Sequence, residues 1–359
     1  MHPHTVRAAD AIVVRSETSV NSSLLEGSSV RFVGTATIGT DHIATDYLQT
    51  KGISFASAPG SNANSVAEYV AAALLVLAER TGAPLAGRTL GVVGVGHVGS
   101  KVARAARALG MNLLLCDPPL ARATGDASFR PLDELMSADI VTLHVPLTKE
   151  GPDPTWHMFD ERRLRQMRRG AVLINTSRGA VSATAALNAV LADGMLSAAI
   201  LDVWENEPAI NTELLTRVLL GTPHIAGYSL DGKVNAVRMI AEALFSHTGA
   251  NPHAFPPWQL PPPPVDRIIL PAAIPGVESA LRSVVQQCYD IARDDRRLRG
   301  IDAVPGELRG KYFRQLRTEY PLRREFPATT VVLPPDARSL AATLQLLGFR
   351  VECPGNHHA

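Results

Sequence analysis

Between residues 86 and 225, short apolar runs alternate with amphipathic stretches. The runs occupy 89–95, 111–117, 139–145, 171–177 and 198–204. Val, Ile and Leu fill them with little polar alternation, as in strands covered on both faces. Helical spacing marks 98–109, 132–137, 160–168 and 182–192 between them. This order predicts a parallel sheet with helices on both faces.

The first 60 residues carry shorter pieces of the same kind. Strands are predicted at 11–14, 30–36 and 53–59, with a short helix at 22–25. Ser65 and Glu68 have capping-box spacing, so a helix is expected to open there and run to about Arg80. A further helix is expected at 234–246. The proline tract 256–264 reads as a semi-rigid linker. Beyond it, strands at 266–270, 329–333 and 349–352 and helices at 276–292 and 336–347 suggest a small third α/β unit.

Composition narrows the class. The chain has 359 residues, enough for two or three domains, and a formal net charge of +1. That balance offers no electrostatic case for nucleic acid or a membrane surface as partner. The longest apolar stretch, 69–78, is about half of a bilayer span. Cys116, Cys288 and Cys353 are too scattered for a disulfide framework or a metal cluster, so no metal is expected and a reducing, cytoplasmic setting fits best.

The first chemical motif is Gly94-Val95-Gly96-His97-Val98-Gly99, which follows a predicted strand and opens a predicted helix. The next strand ends in Asp117, 23 residues after Gly94. This is the dinucleotide fingerprint. The first glycine permits a tight turn and the second lets the backbone approach a pyrophosphate. The third lets helix and strand pack closely, while the helix N-terminus faces the phosphate charge. Asp117 can accept from ribose hydroxyls and would repel a 2′-phosphate, favouring NAD over NADP, although Arg122 lies nearby. No chemistry is assigned to the His97 side chain.

Three later strand-like runs end in polar groups: Arg178, the pair Glu205 and Glu207, and His224. Ligands of open α/β sheets bind outside the carboxyl ends of strands, so these groups could converge there. Oxidising a 2-hydroxy acid needs such a set: a cation for the carboxylate, a base for the hydroxyl proton, and a carboxylate to orient that base. Spacing alone leaves Glu205 level with Glu207, and His42 and His144 as rivals to His224.

Together, residues 91–99, 174–180, 201–208 and 221–228 resemble the D-isomer-specific 2-hydroxyacid dehydrogenases. Residues 14–18, 32–42 and 115–119, with 289–295, 322–325 and 347–349 near the end, look like a branch that acts on a phosphorylated 2-hydroxy acid. The resemblance implies a Rossmann-type NAD domain (64–227) inserted in a flavodoxin-like substrate domain (1–63 and 228–255). It also implies a C-terminal α/β dimerisation domain (265–359), hence a homodimer. It makes Arg178 the carboxylate-binding catalytic residue, His224 the acid/base and Glu207 its support. It implies cofactor contacts at Gly94, Gly96, His97, Val98, Gly99, Asp117, Val145, Pro146, Asp202 and Gly227. Substrate contacts are implied at Ser16, Thr37 and Tyr228. Val145 stands where the family carries a hydroxyl, so a contact there would be through the backbone. Family members open with a strand and helix absent ahead of 11–14. The expectation is therefore an upstream start, or a fragment with weakened substrate binding, short by on the order of 30 residues. Rival readings are another 2-hydroxy acid, of phosphoglycerate or glycerate type, and an NAD-sensing protein without turnover.

Overall fold

The computed structural model describes residues 1–251, 259–272 and 276–354. The chain divides into two compact units, Met1–Ala63 with Tyr228–Pro261, and Asn64–Gly227 with Pro262–Ala359.

In the first unit, β1 (Ala11–Val14), β2 (Phe32–Thr35) and β3 (Ser54–Ala56) form a parallel sheet in that order. Alternation along β2 sends Val33 into a cluster with Val14, Leu25 and Leu48, and Phe32 into another with Ala236 and Ile240. The second cluster belongs to the helix Leu230–Thr248, longer than the 234–246 expected. It lies so close to β2 that a Cβ on Gly34 would sit 2.5 Å from an Ile240 methyl. A short helix, Pro3–Val6, precedes β1 and buries Val6. β1 is an edge strand, and its Val13 is exposed.

The second unit holds the larger sheet. Its strands are β4 (Thr89–Val93), β5 (Asn112–Cys116), β6 (Ile140–Leu143), β7 (Val172–Asn175), β8 (Ala198–Leu201) and β9 (Leu220–Gly221). All are parallel, in the order β5-β4-β6-β7-β8-β9. The strand order reverses between β4 and β6, the switch point at which such sheets bind ligands. A smaller parallel sheet follows, β10 (Arg267–Ile269), β11 (Thr330–Val332) and β12 (Arg350–Glu352). The mixed α/β class and the Rossmann-like sheet match the expectation.

Beyond short helices at Thr45–Thr50, Pro118–Thr124 and Thr212–Arg217 that the spacing does not predict, four details differ. The helix expected at 276–292 is two, Val277–Cys288 and Ile291–Arg299, because the Asp290 carboxylate caps the second through the Arg293 amide at 3.1 Å. The helix Gly306–Thr318 was not foreseen. Residues 132–137 and 335–340 wind as tighter 3₁₀ turns. The capping box is also overturned. The helix runs Ala63–Thr81, so Ser65 and Glu68 lie within it. Their side chains instead hold the distant segment 323–326: Ser65 Oγ donates to Glu325 at 2.8 Å, and Glu68 accepts from the Phe326 amide at 2.7 Å. Of the expected linker, residues 256–258 lie outside the described residues. Among the described residues no helix is long and apolar enough to cross a membrane.

Candidate active site

The fingerprint turn is built as its glycines require. Gly94 has φ +85°, a conformation costly for any residue with a Cβ. A Cβ on Gly99 would overlap the Gly94 carbonyl oxygen, whereas nothing lies within 4 Å of one on Gly96. The middle glycine therefore leaves its face open for a ligand, and the helix His97–Ala108 starts directly beneath it. Asp117 accepts from the Val95 amide at 2.8 Å and caps the next helix through the Leu120 amide at 3.0 Å. Its carboxylate thus ties the end of β5 to the glycine turn. Arg122 is engaged by Asp153 in an ion pair. These features fit a dinucleotide whose ribose meets a carboxylate.

β7 ends in a turn organised by buried Asn175. Its Oδ1 accepts from the Ser177 amide at 3.0 Å and hydroxyl at 2.8 Å, and its Nδ2 donates to the Arg178 carbonyl at 3.0 Å. Gly179 follows because a Cβ there would overlap the backbone of Trp204. Arg178 is thereby held at the carboxyl end of β7, its guanidinium donating to the Ser177 carbonyl at 2.8 Å.

The loop after β9 carries His224 in the left-handed region, φ +57°. Such strain persists only where neighbours over-determine it. Asp202, buried at the end of β8, is the first of these. Its carboxylate accepts from Thr222 Oγ1 at 2.6 Å, from the Ile225 amide at 2.8 Å and from the Ala226 amide at 2.9 Å. Burial raises its pKa, against the pull of His224 and these donors. The Tyr69 hydroxyl meets Thr222 at 2.8 Å, and Trp204 Nε1 donates to the Thr222 carbonyl at 2.9 Å. Asp202, expected as a cofactor contact, is seen here as the anchor of this loop.

His224 Nδ1 lies 2.7 Å from Glu207 Oε2. The other Glu207 oxygen accepts from the Trp204 amide at 2.8 Å. Burial alone would raise this carboxyl, but the charge and hydrogen bond of His224, the Trp204 amide and Arg317 hold it below the usual range. A carboxylate here makes Nδ1 the protonated nitrogen and leaves Nε2 as the free base. Glu205 does not compete. It bonds His157 Nε2 at 2.7 Å and the Thr184 amide at 3.1 Å. His157, whose ring stacks on Trp156, carries no signal in the sequence that would have paired it with Glu205.

The rival histidines are placed elsewhere. His144 is bracketed by the hydroxyls of Thr142 at 3.0 Å and Thr176 at 3.1 Å, and desolvation pushes it from 6.5 down to about 3. His42 contacts Thr35 at 3.0 Å in the first unit. Thr35 in turn meets Thr37, whose hydroxyl donates to the Gly39 carbonyl at 2.8 Å, so the Thr37 proton serves its own turn. Ser16 is exposed just after β1. Lys233 Nζ lies 4.9 Å from the centre of the Tyr228 ring, and burial, then the charge of Arg15, lower its pKa. Val145 and Pro146 follow β6, where the Pro146 carbonyl accepts from Thr155 at 2.6 Å.

Residues 62–226 match the D-isomer specific 2-hydroxyacid dehydrogenase NAD binding domain, and residues 259–348 match a domain of unknown function, DUF3410. The erythronate-4-phosphate dehydrogenase of Cronobacter sakazakii is 47% identical over 351 residues, covering 98% of this chain and 89% of that protein. The enzyme of that name from Escherichia coli O9:H4 is 46% identical over 95% of this chain and 88% of its own length. Among solved structures, the Aquifex aeolicus D-lactate dehydrogenase complexed with NAD and lactic acid aligns with TM-score 0.58 and 28% identity, covering 69% of this chain and 86% of that one. A Staphylococcus aureus NAD-dependent formate dehydrogenase, in complex with NAD, aligns at 0.58 and 25%, covering 72% and 83%.

Proposed function

The chain belongs to the erythronate-4-phosphate dehydrogenases, a branch of the D-isomer-specific 2-hydroxyacid dehydrogenases, and we propose its mechanism on that premise. The reaction is NAD-dependent oxidation of 4-phospho-D-erythronate at C2, giving (R)-3-hydroxy-2-oxo-4-phosphooxybutanoate on the route to pyridoxal 5′-phosphate. When bound, NAD supplies the hydride acceptor. The glycine turn at 94–99 would receive its pyrophosphate and Asp117 its ribose hydroxyls. His97, Val98, Val145, Pro146, Asp202 and Gly227 line our proposed cofactor contacts.

His224 Nε2 takes the C2 hydroxyl proton as hydride departs. Glu207 keeps that nitrogen free and stabilises the imidazolium that forms. Arg178 offers its planar fork to the substrate carboxylate and polarises the developing carbonyl. In the first unit, Ser16, Thr37 and Tyr228 are assigned to the substrate, and Arg15 with Lys233 to its phosphate. The observation that carries this mechanism is the 2.7 Å His224–Glu207 contact on a backbone strained to hold it. We further propose that the chain works in the cytoplasm as a homodimer joined through its C-terminal region.

The test is NADH formation by the purified protein on 4-phospho-D-erythronate, D-erythronate and 3-phosphoglycerate. The 4-phosphate should be preferred by at least about tenfold in kcat/KM, the worth of one charge-assisted contact of roughly 1.5–3 kcal/mol. Equal turnover of D-erythronate would remove the phosphate specificity.

A further inference from the structure

The region matched only as a domain of unknown function grips the loop that carries His224 at both ends. At the leading end, the Gly221 amide donates to Asp295 Oδ1 at 2.8 Å. Asp295 is itself fixed by Arg299 Nε at 3.0 Å to each oxygen, and Arg299 reaches on to the Leu215 and Val218 carbonyls at 2.9 Å. At the trailing end, Arg323 Nη1 donates to the Ala226 carbonyl at 3.4 Å, and Nη2 to the Ser65 carbonyl at 2.7 Å. The Arg323 guanidinium lies 3.9 Å from the centre of the Tyr289 ring and beside Glu68. Asp295 and Arg323 are both buried.

An ion held this deep, donating to or accepting from a main-chain group of another element, fixes that element more rigidly than apolar packing alone. The loop between the two grips contains a histidine whose backbone is strained and whose contact with Glu207 must keep its length. Asp202 holds the loop from beneath, and Asp295 and Arg323 hold it from its two flanks. We propose that Asp295 and Arg323 are positioning residues for His224, so that the C-terminal region sets the geometry of the catalytic base. This role rests on the function proposed above but is read separately from it.

Four variants test it: Asp295→Ala, Asp295→Asn, Arg323→Lys and, as a control for stability alone, Val331→Ala in the buried middle of the C-terminal sheet. Lysine lacks the planar fork that spans the Ala226 and Ser65 carbonyls and lies over the Tyr289 ring, whereas asparagine keeps an acceptor for the Gly221 amide. For folded protein, kcat should fall roughly tenfold to a hundredfold in Asp295→Ala and Arg323→Lys, with NADH affinity within about twofold, as sub-ångström misplacement of a catalytic group predicts. Asp295→Asn should recover most of the rate, and Val331→Ala should lower Tm without lowering kcat. The downfield proton of the His224–Glu207 bond, followed by NMR, should shift or broaden in Asp295→Ala and Arg323→Lys only. An unchanged proton signal in both, or kcat falling in step with Tm across all four, would overturn the proposal. If the parent turned over no 2-hydroxy acid, the proposed function would fail while the proton signal still decided this role.

Discussion

Replacing Glu207 by Gln keeps the size of the side chain and removes one acceptor. Two donors face the carboxylate, the Trp204 amide at 2.8 Å and His224 Nδ1–H at 2.7 Å, one on each oxygen. Glutamine has one oxygen. The Trp204 amide cannot change its role, so it keeps that oxygen, and the new NH₂ turns toward His224. The imidazole must then accept at Nδ1 and carry its proton on Nε2, the nitrogen meant to take the hydroxyl proton. Loss of the charged hydrogen bond alone amounts to roughly 1.5–3 kcal/mol, or about ten- to a hundredfold in kcat, and the wrong tautomer adds to it. NADH absorbance measures kcat, and quenching of NADH fluorescence measures cofactor affinity, which should hold. Glu205→Gln is the matched control. Its partners are His157 and the Thr184 amide, so kcat should stay within about twofold, as for a change that touches no catalytic contact. A folded Glu207→Gln protein keeping more than about half its turnover would refute the tautomer argument.

Further predictions follow from other parts of the molecule. His144 is held neutral with a pKa of about 3 against 6.5, so below 6.5 the unfolded chain binds a proton the folded ring refuses. Its contribution is whole above pH 6.5 and is lost as pH falls toward 3; Tm measured across that window should show a shallower slope for His144→Gln. Lys233→Met should raise KM for the phosphorylated substrate by roughly tenfold, one charge-assisted contact, with little change for an unphosphorylated 2-hydroxy acid; an equal change for both would place Lys233 away from the phosphate. Gly99→Val forces atoms into the Gly94 carbonyl, so cofactor binding by calorimetry should vanish or the protein should fail to fold, whereas Gly96→Ala, in open space, should fold with an unchanged Tm and bind cofactor weakly.

The larger sheet was legible because its strands are uninterrupted apolar runs, and both faces of every central strand are in fact covered. The end of the long C-terminal helix was not. The heptad-like pattern runs through Cys288 and resumes at Ile291, and only the Asp290 cap separates two helices. The helix Gly306–Thr318 buries little more than Phe313 and Leu316 among charged residues, too sparse a stripe to stand out. Ser65 and Glu68 misled for a different reason: local spacing suggested a cap, while their partners lie about 260 residues away. At the site, Glu205 and Glu207 are two residues apart on one turn, and no pattern within the chain separates them. The family resemblance picks Glu207, and the folded chain supplies the physical difference between the two in their partners, His157 for Glu205 and His224 for Glu207.

The shortness of β9 bears on how this chain can be cut and recombined. With two residues, it closes the edge of the larger sheet only because the helix Ile291–Arg299 lies against it, and Leu298, Ile301 and Phe313 share one core with Leu214 and Leu215. A break after residue 226, where the recognised dehydrogenase segment stops, would leave an open strand edge and a greasy face toward water. The segment 62–226 is therefore not a portable module. Chimeras that exchange it for the same segment of a lactate or formate dehydrogenase should aggregate unless residues 291–326 travel with it.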